Sequence, residues 1–254
     1  MDDYFAFDFD GVICDSADET ARTAWRAAHE LWPELVAAQP GEALLARFVR
    51  LRPVIETGYE NVVLAALVAR GMEDEAILAG FQALCAQFIG DEELERADLR
   101  RRFGHARDAW LASDPESWLD AQGFFPGVVD AINALDAPCC IITTKEDRFT
   151  RALVQRAGLD VPADRIHALE AFEGRGKRSV LEGLARTHPG VRLHFFEDRL
   201  QTLDRVRDLP DLQMYLVDWG YNTAAERAQA HADPRIELID LAGFTARLRR
   251  PHRG

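Results

Sequence analysis

The chain of 254 residues has no apolar run that approaches the ~20 residues of a membrane-spanning helix. Its first residues, Met1-Asp2-Asp3, are acidic and lack the basic segment that opens a secretory signal. Both absences argue against a membrane-bound or secreted protein. We therefore expect a cytoplasmic protein without a membrane partner.

Cysteine and positive charge are both scarce. The four cysteines, Cys14, Cys85, Cys139 and Cys140, show no metal-ligand spacing, so reduced and mostly buried thiols are expected. Thirty basic residues stand against 43 acidic ones, a formal net charge of −13. This balance argues against a nucleic-acid partner. A phosphorylated substrate would need a bound cation and a few local Lys, Arg or backbone N–H groups to overcome the negative field.

Two acidic residues close an apolar segment near the N-terminus. The run from Tyr4 to Ile13 is typical of a buried strand, and Asp8 and Asp10 stand at its end. Residues two apart on a strand point the same way, so the two carboxylates crowd one place. Like charges that close repel, and a divalent cation such as Mg²⁺ is the usual way to keep both ionised. The alternative is a simple turn, since Asp-Gly is a common turn dipeptide.

The rest of the chain divides into a helical part and an alternating part. Capping-box spacing at Ser16–Glu19 and again at Thr57–Glu60 predicts two helix starts. After Phe125, strand-like runs alternate with helical ones, which is typical of a parallel sheet covered by helices. The first strand must join that sheet, because a single short strand is not stable alone. We predict a doubly wound α/β core, residues 1–15 and 124–254, with an all-helical domain inserted at 16–123.

Polar residues follow the predicted strands. Ligands of open α/β sheets bind beyond the carboxyl ends of the strands, so these residues are expected at one edge. In chain order they are Asp8 and Asp10, Thr143-Thr144-Lys145, Gly174-Arg175-Gly176-Lys177, Glu197-Asp198, and the segment 218–222. The edge therefore gathers carboxylates, hydroxyls and lysine.

This set resembles the haloacid dehalogenase superfamily, and specifically its phosphoglycolate-phosphatase-like members with a helical cap. The segment from Asp8 to Ser16 resembles the first motif of the family, which is highly specific. Ile142–Lys145 resembles the second motif, Lys177 stands where the family lysine is expected, and Glu197-Asp198 where its last acidic motif falls. The resemblance covers essentially the whole chain and points to a little-characterised branch with no substrate attached.

The resemblance implies a Mg²⁺-dependent phosphatase for a small phosphorylated metabolite. Asp8 would be the nucleophile that forms an aspartyl-phosphate, and Asp10 the general acid and then base. Dehalogenating members lack the second aspartate, so Asp10 favours phosphoryl chemistry. Thr143 would bind the phosphoryl group, and Lys177 would neutralise its charge. The metal would be held by Asp8, the backbone carbonyl of Asp10, Asp198 and, through water, Glu197.

Substrate contacts are expected from Thr144 and Lys145 at the sheet edge and from Arg50 and Arg52 in the helical domain. The chain departs from the family at Thr202, since many members carry an acidic residue four positions after the metal aspartate. Two other functions stay open. One is a phosphomutase that returns the phosphoryl group to another hydroxyl, and the other is a non-catalytic binding module with the same fold.

Overall fold

The structure is a computed structural model that describes residues 2–172 and 176–249. Contacts between residues divide the chain into two compact units. One consists of Met1–Asp15 and Gly123–Gly254, and the other is Ser16–Gln122. Each unit encloses a hydrophobic core of its own. Gly174 and Arg175 of the expected glycine-rich turn lie outside the described residues.

The described part of the first unit forms a six-stranded sheet in which every neighbouring pair of strands is parallel. In chain order the strands are β1 (Asp3–Phe7), β2 (Cys14–Asp15), β3 (Gly123–Phe124), β4 (Cys139–Ile142), β5 (Ile166–His167), β6 (Arg192–Glu197), β7 (Leu212–Val217) and β8 (Ile236–Ile239). Their spatial order in the sheet is β5-β4-β1-β6-β7-β8, while β2 and β3 pair separately as a short antiparallel ribbon.

The other regular elements of the described residues are helices. They are α1 (Ala17–Leu31), α2 (Glu42–Leu51), α3 (Gly58–Ala69), α4 (Asp74–Asp91), α5 (Arg96–Ser113), α6 (Pro115–Asp120), α7 (Val128–Asn133), α8 (Asp147–Ala157), α9 (Lys177–Thr187), α10 (Leu200–Asp204), α11 (Ala224–Ala232) and α12 (Leu241–Leu248). Short 3₁₀ turns lie at Arg52–Val54, Ala163–Arg165 and Leu169–Phe172. Within the described ranges, none of these helices has the length and apolar character needed to cross a bilayer.

Strand β1 occupies the middle of the sheet because both of its faces are apolar. Tyr4 and Ala6 belong to a core cluster that includes residues of α9, α10 and α11. Phe7 points to the other face, where its ring lies 5.8 Å from that of Phe244 on α12. A strand buried on both sides is typical of a parallel sheet with helices on both faces. The predicted doubly wound α/β fold is confirmed.

The sheet differs from the sequence pattern at both of its edges. Strand β5 is shorter than the strand-like run at 165–169, and a 3₁₀ turn at Leu169–Phe172 follows it at once. Strand β8 and helix α12 at the end of the chain were not predicted, although β8 completes the edge of the sheet beside β7. Edge strands are short and partly polar, so their sequence pattern is weak.

The predicted start of α1 is right, but its capping box does not form. Ser16 occupies the N-cap position without a side-chain bond to the helix end. Glu19, the other member of the expected capping box, is fully buried. Its carboxylate accepts hydrogen bonds from Nε and Nη2 of Arg107 at 2.8 and 2.9 Å. Thr23 and the indole of Trp118 also donate to Glu19. The acid therefore links α1, α5 and α6 inside the helical unit.

Replacing Arg107 by Met is expected to destabilise the helical unit by about 3–5 kcal/mol, because Glu19 is left as an unpaired charge in an apolar interior. Thermal unfolding measures this loss. The matched control is Arg102→Met on the same helix, whose partner Asp98 lies at the surface. The control should leave the unfolding midpoint almost unchanged. Equal unfolding midpoints for the two variants would show that the buried Glu19–Arg107 ion pair does not stabilise this unit more than a surface ion pair does.

Candidate functional site

Two neighbouring strands bring three carboxylates together. In the register of β1 and β6, Phe7 is paired with Phe196, and the backbone N–H of Asp8 donates to the carbonyl of Phe196 at 2.9 Å. Asp8 therefore leaves β1 beside the point where Glu197 ends β6. Asp198 follows directly, and one oxygen from each of the three carboxylates lies within 4.8 Å of the others. All three side chains are buried.

Lys177 supplies the positive charge of this cluster. It is the first residue of α9, and its ammonium lies 2.7 Å from Oδ1 of Asp8 and 2.7 Å from Oε2 of Glu197. Burial alone would lower the pKa of Lys177, but the two carboxylates outweigh that effect and raise it. Lys177 is therefore a fixed cation at the end of β1.

One ammonium does not balance three buried carboxylates. Burial raises the pKa of Asp8 to about 6 against the opposing effect of Lys177, and the charge of Asp198 adds to the rise. Burial and the charge of Asp8 also raise the pKa of Glu197 well above its ordinary value. A divalent cation would relieve this excess, and an all-oxygen donor set of buried carboxylates suits Mg²⁺. The residues present therefore fit the expected metal.

Asp198 lies in a narrow space between two glycines. A Cβ at Gly11 would fall 2.2 Å from Oδ2 of Asp198, and one at Gly220 would fall 2.3 Å from Cβ of Asp198. Gly11 also has a positive φ of 86°, a conformation that favours glycine. Both positions thus need glycine so that the chain can approach the carboxylate closely.

Asp10 lies beside the cluster and contacts the second lysine. Its Oδ1 is 3.2 Å from the ammonium of Lys145, whose side chain is only 2% exposed, while the side chain of Asp10 is 23% exposed. Lys145 is buried against Asp10 in the structure, and its contact with substrate stays a prediction. The carboxylate of Asp10 remains partly open to solvent.

Two threonines follow β4. The hydroxyl of Thr143 is buried and accepts the backbone N–H of Lys145 at 3.1 Å. The next residue, Thr144, is exposed. The strand order places this segment beside the end of β1, since β4 and β1 are neighbours. The hydroxyl proton of Thr143 is a donor that can serve a bound anion.

The two arginines expected to contact substrate lie in the helical unit. Arg50 is exposed, and its guanidinium is 3.5 Å from Asp74. Arg52 donates from Nη1 to the carbonyl of Ile55 at 3.4 Å. These contacts are internal to the helical unit, so a role of Arg50 and Arg52 toward substrate stays a prediction.

Sequence reasoning missed the pairing of Asp10 with Lys145, although the composition contains a signal for it. Lys145 and Lys177 are the only lysines of the chain, against 28 arginines. Both are buried, and each contacts one of the two aspartates of the first motif. In a chain that uses arginine almost everywhere else, two buried lysines mark positions where a compact ammonium is needed.

Comparison with known proteins identifies the family. A family model described as haloacid dehalogenase-like hydrolase matches residues 3–181, which is more than half of the chain. The protein belongs to the haloacid dehalogenase-like hydrolases, and the predicted family is thereby confirmed. The comparison with curated proteins gives no match.

Solved structures share the fold across nearly the whole chain. A predicted phosphatase from Clostridium acetobutylicum is 12% identical, with a TM-score of 0.61 over 97% of this chain and 98% of that one. A predicted phosphoglycolate phosphatase from Haemophilus somnus 129pt is 16% identical, with a TM-score of 0.60 over 96% of both chains. The protein tyrosine kinase A of Mycobacterium tuberculosis is 17% identical, with a TM-score of 0.60 over 98% of both chains. At these identities the likeness extends to the fold alone.

Asp8→Asn is expected to stabilise the metal-free protein at neutral pH. Because the pKa of Asp8 is about 6 in the fold against an ordinary 3.8, the folded state binds this proton more tightly than the unfolded chain. Ionised Asp8 therefore lowers stability progressively as pH rises from about 4 to about 6, and the loss is complete above that window.

Thermal unfolding in EDTA measures this effect. The midpoint of Asp8→Asn should exceed that of the parent at about pH 7.5, and the difference should shrink towards about pH 4. A variant that is less stable than the parent at neutral pH would show that Asp8 is not strained by its neighbours.

Proposed function

We propose that the protein is a Mg²⁺-dependent phosphatase that hydrolyses a small phosphorylated metabolite through an aspartyl-phosphate on Asp8. The observation that carries this proposal is the position of Asp8. It is buried, bound by Lys177 and close to the oxygens of Glu197 and Asp198. Asp10, with a partly open carboxylate, follows two residues later. Membership in a hydrolase family agrees with this reaction.

The contacts of Asp8 leave one oxygen for attack. The ammonium of Lys177 and the backbone N–H of Phe9 both bind Oδ1, each at 2.7 Å. Oδ2 is the atom that these two donors do not engage. We assign Oδ2 as the nucleophile, which forms a bond to phosphorus while the bond between phosphorus and the leaving oxygen breaks.

Asp10 serves both halves of the reaction. It first gives its proton to the leaving alkoxide, which departs as an alcohol. It then takes a proton from a water molecule that attacks phosphorus, so that phosphate is released and Asp8 is restored. Lys177 holds the nucleophile, and the hydroxyl of Thr143 donates to a phosphoryl oxygen. Lys145 keeps Asp10 in place.

The remaining assignments complete the proposal. Mg²⁺, held by Asp8, Asp198, the backbone carbonyl of Asp10 and, through water, Glu197, would offset the negative charge that accumulates during phosphoryl transfer. The helical unit would act as a cap that selects the substrate, with Arg50 and Arg52 as anion contacts and Thr144 at the sheet edge. The described cysteines are all reduced and buried, which agrees with the cytoplasmic location that we propose.

Asp8→Asn should abolish Mg²⁺-dependent hydrolysis of p-nitrophenyl phosphate while leaving the fold intact, because an amide oxygen is a poor nucleophile. Phosphate release measures the hydrolysis, and circular dichroism shows whether the fold is intact. Asp147→Asn, an aspartate at the start of α8 that pairs with Arg151, is the matched control and should retain activity. Full activity of Asp8→Asn would show that Asp8 is not the nucleophile.

Asp10→Asn should impair alkyl phosphates more than p-nitrophenyl phosphate, because p-nitrophenolate departs without a proton. General acid catalysis is typically worth ~10²–10⁴-fold, and a loss of this size is expected for the alkyl substrates. The ratio of kcat/KM for the two substrate classes is the measurement. An equal loss for both classes would argue against Asp10 as the acid.

A panel of phosphorylated metabolites, assayed with and without Mg²⁺, identifies the substrate class. A phosphatase releases inorganic phosphate in proportion to the substrate that disappears. A phosphomutase consumes its substrate without that release, and a binding module consumes none. The panel therefore tests the proposed reaction against both alternatives.

A further inference from the structure

The segment that follows β7, Asp218–Asn222, lies against the metal aspartate. The backbone N–H of Tyr221 donates to Oδ2 of Asp198 at 2.8 Å, so the rotation of this carboxylate is fixed by one bond. Gly220 lies so close to Asp198 that no larger residue fits between them. The backbone of this segment thus forms one side of the site in which Asp198 lies.

Asn222 holds the main chain of Asp198. Its Nδ2 donates to the carbonyl of Asp198 at 2.9 Å and to that of Val217 at 2.8 Å. Arg227 in turn donates to the side-chain and backbone oxygens of Asn222, both at 2.9 Å. Asn222 is 5% exposed, so these bonds are shielded from water. They join the end of β6 to the end of β7.

The side chain of Tyr221 ties the same segment to the chain that follows Asp8. Its hydroxyl donates to Oδ1 of Asp15, the last residue of β2, at 2.9 Å. Nearby, the indole of Trp219 donates to the carbonyl of Val12 at 3.2 Å. The backbone N–H of Tyr221 can face Asp198 only while the segment keeps this position. The phenol of Tyr221 therefore affects Asp198 indirectly, because it fixes the position of the backbone N–H that binds Asp198.

We propose that Tyr221 and Asn222 are positioning residues for the metal site, where they orient Asp198 toward Mg²⁺. The proposal rests on the metal site of the proposed function. Mg²⁺ demands nearly ideal octahedral geometry, so a loosely held carboxylate binds it poorly. The segment after β7 supplies the bonds that hold both the carboxylate and the main chain of Asp198.

A purely structural role of the segment makes a different prediction. Loss of packing lowers the stability of the metal-free and the Mg²⁺-loaded protein to the same extent. Loss of positioning weakens Mg²⁺ binding while the metal-free protein changes little. Mutation of groups that support metal ligands typically lowers metal affinity ~10–100-fold. The affinity for Mg²⁺ therefore separates the two roles without any reference to activity.

The test uses the full chain stripped with EDTA and titrated with Mg²⁺ alone in a calorimeter. Tyr221→Phe removes the phenol hydroxyl that donates to Asp15, and Asn222→Ala removes both bonds to main-chain carbonyls. We expect the dissociation constant to rise about tenfold or more in Asn222→Ala and by a smaller factor in Tyr221→Phe. Thermal unfolding without metal shows whether each variant is folded.

The matched control is Tyr215→Phe, which removes a tyrosine hydroxyl bond of 2.9 Å to His194, a residue that is not among the proposed metal ligands. Its Mg²⁺ affinity should equal that of the parent. Parent-like affinity in both Tyr221→Phe and Asn222→Ala overturns the proposal, as does a parent that binds no Mg²⁺. If the parent binds Mg²⁺ and the variants weaken it, but no phosphoester is hydrolysed, the positioning role stands and the proposed reaction fails.

Discussion

The repulsion among three buried carboxylates is the constraint on which the site depends. Asp8, Glu197 and Asp198 lie together at the end of β1 and β6, and the ammonium of Lys177 contacts Asp8 and Glu197. A fold does not gain stability from such a cluster, since burial and like charge both oppose ionisation. A bound cation would relieve this repulsion, which agrees with the proposed phosphatase reaction.

The architecture lets the protein tolerate this cluster. The parallel sheet buries β1 and β6 on both faces, so the backbone around the carboxylates is held by a continuous ladder of hydrogen bonds. Gly11 and Gly220 allow the chain to approach Asp198. Tyr221 and Asn222, which follow Gly220, donate hydrogen bonds to Asp198. The groups that we propose as catalytic are thus positioned by main-chain geometry, which is stiffer than contacts between surface side chains.

The sequence was sufficient for the fold and for the convergence of polar strand ends, because both follow from periodicity and from the direction of parallel strands. The spacing of Asp8 and Asp10 predicted two carboxylates on one face of a strand, but β1 ends just before Asp8 and each aspartate contacts a different lysine. The pairing of Lys145 with Asp10 could not be predicted, since it depends on which way a buried side chain turns after β4. The bond from Tyr221 to Asp198 joins backbone to side chain across two strands, and no residue pattern signals it.

Covalent trapping tests the central claim, that Asp8 attacks phosphorus, most directly. The Asp10→Asn variant should slow the breakdown of the intermediate, so it is mixed with p-nitrophenyl phosphate and Mg²⁺ and quenched with acid during turnover. Peptide mass spectrometry then locates the phosphoryl group. The account predicts phosphate on Asp8 in the Asp10→Asn protein and none when Asp8 is also replaced by Asn. Turnover without any phosphorylated aspartate, or with phosphate on another residue, would contradict it.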